Sequence, residues 1–151
     1  MKNLIIFIAL CIPLTAANSP AEQINYTIKL PIIKPGLLTH AEIIQAIIYV
    51  ESRGNDSARC ISEDAIGALQ IRRTMVRDVN RILKRQGSTE RYKLKDRWNR
   101  QLSIEMFNIY CAHYKLVTPE AKARCWNGGP RGIRKSSTLR YWEKVKRKLA
   151  S

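Results

Sequence analysis

The run Thr39-His40-Ala41-Glu42-Ile43-Ile44-Gln45-Ala46-Ile47-Ile48-Tyr49-Val50-Glu51-Ser52-Arg53-Gly54-Asn55 contains a start, a face and a stop for one helix. Threonine followed three residues later by glutamate is a capping box. In it the hydroxyl and the carboxylate each satisfy a backbone N–H that the first turn leaves without a partner. Ile43, Ile44, Ile47 and Ile48 then recur at helical spacing as an apolar stripe, and Gly54 supplies the stop. Glu51 lies on the same line, four residues after Ile47, and is predicted to point toward the apolar side. It also occupies the last turn, where the negative end of the helix dipole opposes a carboxylate. Both conditions favour the protonated form and raise the pKa. A side chain that donates a proton near neutral pH needs that environment. The structural alternative is a glutamate at a frayed helix end, or one paired with Arg53.

Helical signals continue toward the C-terminus. Thr74 is expected to cap a second helix with Met75, Val76, Val79, Ile82 and Leu83 on one face, ended by Gly87. A third is predicted from about Asn99 to Tyr114, with Leu102, Met106, Ile109, Tyr110 and His113 at helical spacing. Thr118-Pro119-Glu120 opens a fourth, because proline suits the first helical position, and Gly128-Gly129-Pro130 breaks it. A last helix carries Tyr141, Trp142, Val145 and Leu149. The expectation is a mainly α domain over residues 39–151, with loops at 54–70, 87–98 and 127–137.

Upstream, residues 1–17 read as a secretory signal peptide: Lys2, an apolar stretch from Leu4 to Leu14, then Thr15-Ala16-Ala17. Residues 18–38 hold Pro20, Pro31 and Pro35 and read as an extended lead-in, with a short strand possible at Tyr26–Leu30. The whole chain has 151 residues, is 45% hydrophobic and 26% charged, and carries a formal net charge of +15. That balance excludes a disordered chain and a membrane bundle, and the length fits one domain. Without residues 1–17 three cysteines remain, Cys60, Cys111 and Cys125, so at most one intramolecular pair forms. They make no metal-binding spacing, and His40 and His113 read as surface or packing residues.

Small residues at Gly67 and Ala68 permit close backbone approach to a ligand, and Gln70 offers an amide. Cys125-Trp126-Asn127-Gly128-Gly129-Pro130 puts an aromatic and an amide on a predicted tight loop, where a sugar ring stacks on the aromatic. The order Glu51-Ser52-x-Gly54-Asn55-x-x-Ala58, then Ala65-Ile66-Gly67-x-Leu69-Gln70-Ile71, then Trp126-Asn127-Gly128-Gly129-Pro130, then Tyr141-Trp142-x-Lys144-Val145 resembles lytic transglycosylases of the soluble, goose-lysozyme-like type. Asp64 stands where that family has its first glycine, and Trp126 replaces a tyrosine, exchanging a phenol for an indole that only donates.

The resemblance implies a lysozyme-like helical domain with a substrate cleft. It implies cleavage of the N-acetylmuramic acid β-1,4 N-acetylglucosamine bond of peptidoglycan, by a monomer without cofactor or metal, outside the cytoplasm in the periplasm or extracellular space. Glu51 would be the single general acid/base, giving 1,6-anhydro products, with Ser52, Gln70, Trp126, Asn127 and Tyr141 binding the glycan. A muramidase on the same fold is the alternative. It needs an opposing acid, for which Asp56, Glu63 and Asp64 are available, though counter-charge to the arginines is the preferred reading of all three.

The positive charge is concentrated. Residues 72–100 hold eleven Lys/Arg against three acids, and 131–151 hold eight against one. These segments are candidates for holding anionic envelope polymers. From another class, a basic nucleic-acid-binding module is the rival, on Ile71-Arg72-Arg73-Thr74-Met75-Val76-Arg77. An export signal and the Glu51, Gln70 and Asn127 constellation argue against it, and no nucleic-acid partner is expected.

Overall fold

The computed structural model describes residues 38–151. The expected signal peptide, the lead-in up to Leu37 and the strand at Tyr26–Leu30 lie outside the described residues. Helix α1, His40–Ser52, begins on the capping box: Thr39 Oγ1 accepts from the Glu42 backbone N–H at 3.2 Å, and Glu42 Oε2 accepts from the Thr39 N–H at 2.6 Å. Its isoleucines 43, 44, 47 and 48 are buried at the centre of the core. The stop comes one residue before the expected glycine. Arg53 itself takes the left-handed conformation at φ 57° and donates its N–H to the Tyr49 carbonyl, and Gly54 follows at φ 81°.

Residues 54–70, expected as a loop, contain the first two strands of a small antiparallel sheet. Strands β1 (Arg59–Cys60), β2 (Ala65–Ile66) and β3 (Ile71–Arg72) lie in that order, with Cys60 opposite Ala65 and Ile66 opposite Ile71. Strands of two residues show no alternation, so periodicity cannot reveal them. They are held from behind by Arg97, which is 4% exposed. Its guanidinium donates to the carbonyls of Leu94 at 2.8 Å, Asp64 at 2.8 Å and Ile71 at 3.3 Å, and lies 3.4 Å from the Asp64 carboxylate. A buried cation persists only when its donors are satisfied, so Arg97 fixes the sheet's position.

Helix α2, Arg73–Arg85, follows β3 without a break. Thr74 is therefore the second helical residue and not the cap; Arg72 holds the cap position without a side-chain capping bond. Val76, Val79, Ile82 and Leu83 are buried as expected. Helix α3, Arg100–His113, is capped by Asn99, whose Oδ1 accepts from the Leu102 N–H at 3.0 Å. Its buried face is rotated from the expected one: Ser103, Met106, Phe107, Tyr110 and Cys111 are inside, while Leu102, Ile109 and His113 are half-buried.

Helix α4, Pro119–Gly128, opens on Thr118, which accepts from the Ala121 N–H at 3.1 Å. Helix α5, Leu139–Leu149, buries Val145. Single 3₁₀ turns occupy Leu94–Trp98, Gly132–Arg134 and Ser136–Thr138. α1 packs on α5, α5 on α4, and α2 on α3, so the isoleucine face of α1 is enclosed, while Ser52 at its C-terminal end bonds Ala68 beside the small sheet. Among the described residues, no helix is long and apolar enough to cross a membrane.

Gly67 shows how tightly the sheet is pinned. It has φ 78°, and a Cβ there would overlap the Arg97 carbonyl oxygen. Gly67→Ala is expected to lower unfolding free energy by about 2–4 kcal/mol. Gly87→Ala, also at positive φ (76°) but in open space, is expected to lose only about 1 kcal/mol. Urea denaturation of the two variants checks the contrast.

Candidate active site

Helix α1 delivers Glu51 to a cavity of about 870 Å³ between the small sheet and the segment after α4. Glu51, Glu63, Gln70, Arg72, Asn127 and Lys135 supply its polar lining. Burial raises the Glu51 pKa from an ordinary 4.5 to about 7. The Tyr141 hydroxyl opposes this by donating to Glu51 Oε1 at 2.7 Å, and Arg72 also lowers the pKa; Glu63 raises it and Lys144 lowers it by smaller amounts. Desolvation is the largest effect, so it sets the direction. Arg53 is not the partner of Glu51, because its guanidinium lies over the Tyr49 ring at 4.7 Å from the centroid.

The other expected site residues separate into different places. Asn127 lines the cavity and is exposed. It and Trp126 are in the last turn of α4, not on a loop, because the helix runs to Gly128. Trp126 also lines the cavity but is only 9% exposed. It packs edge-on against Phe107 and Tyr110, and its indole N–H donates to the Leu69 carbonyl at 3.3 Å.

Gln70 lines the cavity at φ 47°, but its amide NH₂ donates to the carbonyls of Ala58 (3.2 Å) and Gly67 (2.9 Å). Its amide oxygen is the group left to face a ligand. Ser52 is not in the cavity lining: its hydroxyl bonds the Ala68 carbonyl at 2.8 Å and ties α1 to the sheet. The Tyr141 hydroxyl is committed to Glu51. It supplies a phenol partner for the acid from α5, although Trp126 stands at the position where the resemblance leads one to expect the tyrosine.

The three loop acids also diverge. Asp56 pairs with Arg100 at 2.8 Å, and Asp64 lies 3.3 Å from Arg73 and 3.4 Å from Arg97. Both match the expected counter-charge reading. Glu63 pairs with Arg72 too, yet both of its members line the cavity that holds Glu51. Of the three acids, only Glu63 lines the Glu51 cavity, and sequence spacing gave no reason to prefer it. The basic segment 72–100 is correspondingly less free than its composition suggests, since Arg72, Arg73, Arg81, Arg97 and Arg100 each pair with an acid.

Lys135 and Thr138 escaped the sequence reading. Buried Arg124 donates to Thr138 Oγ1 at 2.9 Å and to the Lys135 carbonyl at 3.0 Å, and Lys135 Nζ donates to the Gly128 carbonyl at 2.6 Å. These bonds hold residues 128–138 as the cavity's second wall. Gly128 is required here, because a Cβ would overlap the Thr138 methyl. Among the described residues there is no cluster suited to a metal ion, and Cys60, Cys111 and Cys125 are free.

With this geometry in view, two solved structures share the architecture. Tapes japonica lysozyme superposes with a TM-score of 0.56 and 23% identity over 70% of this chain and 86% of that one. A chain in the crystal structure of Aeromonas hydrophila PliI in complex with Meretrix lusoria lysozyme gives 0.57 and 21% over 70% and 87%. The fold is lysozyme-like. A 26-residue stretch is also 73% identical to a lysozyme of Magallana gigas, spanning 17% of this chain and 19% of that protein. No family model matches the chain. The lysozyme-like part of the expected resemblance is thus shown as a fold, whereas the neighbours named are lysozymes and not transglycosylases.

A raised carboxyl pKa makes stability pH-dependent. The folded chain holds a proton on Glu51 that the unfolded chain releases between pH 4.5 and about 7, so stability falls as pH rises through that window. Glu51→Gln removes the effect. At pH 8 the variant is expected to be more stable than the parent by about 1–3 kcal/mol, and the difference closes near pH 4.5, as urea denaturation would show. Tyr141→Phe deletes the donor that favours the carboxylate. The Glu51 titration should then move above its parent midpoint, read by ¹³C NMR of the labelled carboxyl.

Proposed function

We propose that this protein is a peptidoglycan-cleaving glycosidase of muramidase type, acting outside the cytoplasm on the β-1,4 bond between N-acetylmuramic acid and N-acetylglucosamine. The observation that carries the reading is a half-buried Glu51, with its pKa raised to about 7, sharing one cavity with Glu63. Glu51 donates its proton to the bridging oxygen, the bond from that oxygen to C1 breaks, and positive charge develops on the sugar. Glu63 is the opposing carboxylate that a two-acid mechanism needs, stabilising that charge while water completes the cleavage. Arg72 orients Glu63 through their ion pair. Gln70 through its amide oxygen, and Asn127, are the groups proposed to hold the acetamido and hydroxyl substituents.

Transglycosylation is the second reading, favoured by the order of the Glu51-Ser52, Gln70 and Asn127-Gly128-Gly129-Pro130 motifs. In it Glu51 returns as base to the muramoyl C6 hydroxyl, which closes on C1, and no second carboxylate is needed.

Digestion of purified peptidoglycan with products read by mass spectrometry tests both. Hydrolysis gives free reducing ends, heavier by one water than the 1,6-anhydro ends of transglycosylation. Glu51→Gln is expected to abolish cleavage under either reading. Glu63→Gln is expected to lower kcat by about a hundredfold or more under hydrolysis and to leave transglycosylation nearly intact. A Glu51→Gln variant that still clears cell walls overturns the glycosidase reading. The rate of the parent should also fall on the alkaline side with a midpoint near 7, where Glu51 loses the proton it must donate.

A further inference from the structure

The cavity holding Glu51 does not end at Met75. A second depression of about 510 Å³ shares Thr74, Met75 and Gly129 with it and continues along α2 as far as Arg81. The two adjoin at these three residues, and only the first holds the acid. The continuation is walled by α2 on one side and by Gly129-Pro130 on the other, with Tyr110 between.

Its charges are unequally committed. Asp78 is neutralised by Arg81 and also accepts from the Tyr114 hydroxyl at 3.1 Å. The Tyr110 hydroxyl donates to the Cys125 carbonyl at 3.1 Å. Arg77, one turn before Arg81, is exposed and has no ion-pair or hydrogen-bond partner among the described residues, and neither does the Thr74 hydroxyl. Thr74 and Arg77 are three residues apart and so project from one face of α2. A neutral sugar strand offers a guanidinium only uncharged oxygens, whereas a carboxylate accepts from both groups and forms with Arg77 the stronger, charge-assisted bond.

We infer that this continuation is a binding site for a carboxylate substituent on the amino-sugar strand, with Arg77 as the specificity-determining residue and Thr74 as a second donor. The inference rests on the glycosidase reading and narrows its substrate to acid-bearing strands, in preference to neutral β-1,4 amino-sugar polymers. Two substituents offer the chemistry: the lactyl carboxylate of muramic acid and the carboxylates of an attached peptide.

Three soluble probes separate these sources: peptide-bearing glycan fragments, fragments stripped by an amidase so that only the lactyl group remains, and chitin oligosaccharides with neither. Binding is measured by calorimetry on the full chain carrying Glu51→Gln, with and without Arg77→Ala. The expected result is a roughly tenfold weaker Kd for acid-bearing fragments and an unchanged Kd for chitin oligosaccharides, with Arg77→Lys recovering part of the loss. Arg85→Ala, on the same helix but outside the continuation's lining, should change none of them.

A loss confined to peptide-bearing fragments assigns the peptide carboxylates; one confined to stripped fragments assigns the lactyl carboxylate, which an attached peptide masks as an amide; a loss on both means that the site takes either, and all three support the inference. An equal loss on chitin oligosaccharides, or no loss anywhere, overturns it, as does failure of the Glu51→Gln chain to bind any acid-bearing fragment. Fragments that bind through Arg77 but are never cut by the parent protein overturn the glycosidase reading instead.

Discussion

Glu51 pays nothing in local geometry for its position, since it continues the helical line of Ile43 and Ile47, but its carboxyl loses most of its water there. Desolvation disfavours the anion, and the C-terminal end of α1 adds a dipole of the wrong sign for a carboxylate. Tyr141 relieves part of that penalty from α5 without reversing it. The rest of the molecule keeps this arrangement in place. The isoleucine face of α1 packs on α5 and the core with each isoleucine at most 4% exposed, which fixes where the Glu51 backbone sits.

The two walls of the cavity are built by the same device, a buried arginine that collects backbone carbonyls. Arg97 draws Leu94, Asp64 and Ile71 together behind the sheet, and Arg124 does the equivalent for Lys135 while bonding Thr138. Each segment is too short or too irregular to satisfy its own polar groups, so a five-donor side chain supplies the missing partners. Glycines mark where backbones approach closest: Gly67 under the Arg97 carbonyl, and Gly132 against the Arg124 carbonyl. Both walls are therefore tied together by charged side chains, and the acid lies in the field of those charges.

That field explains why charge counting alone misleads. The arginines of residues 72–100 look like a solvated basic face, yet Arg72, Arg73, Arg97 and Arg100 answer specific acids or carbonyls around the sheet. What remains uncommitted there is a smaller set, in which Arg77 stands out by lacking a partner among the described residues. In the proposed reaction the useful charges are few and placed: one carboxyl kept protonated, one carboxylate tethered by Arg72, and one free guanidinium farther along α2.

Local interactions made much of this chain readable in advance. The capping box of α1, the proline opening of α4 and the isoleucine stripe involve neighbours within four residues, and so does the position of Glu51 on the apolar line. Non-local contacts decided the remainder. Which loop acid faces Glu51 depends on how a sheet of two-residue strands is pinned by Arg97 more than twenty residues away. Trp126 became core and Tyr141 became the partner of the acid, because those outcomes follow from how α4 and α5 pack around α1. Sequence spacing fixes which residues share a helix face; only packing fixes what that face meets.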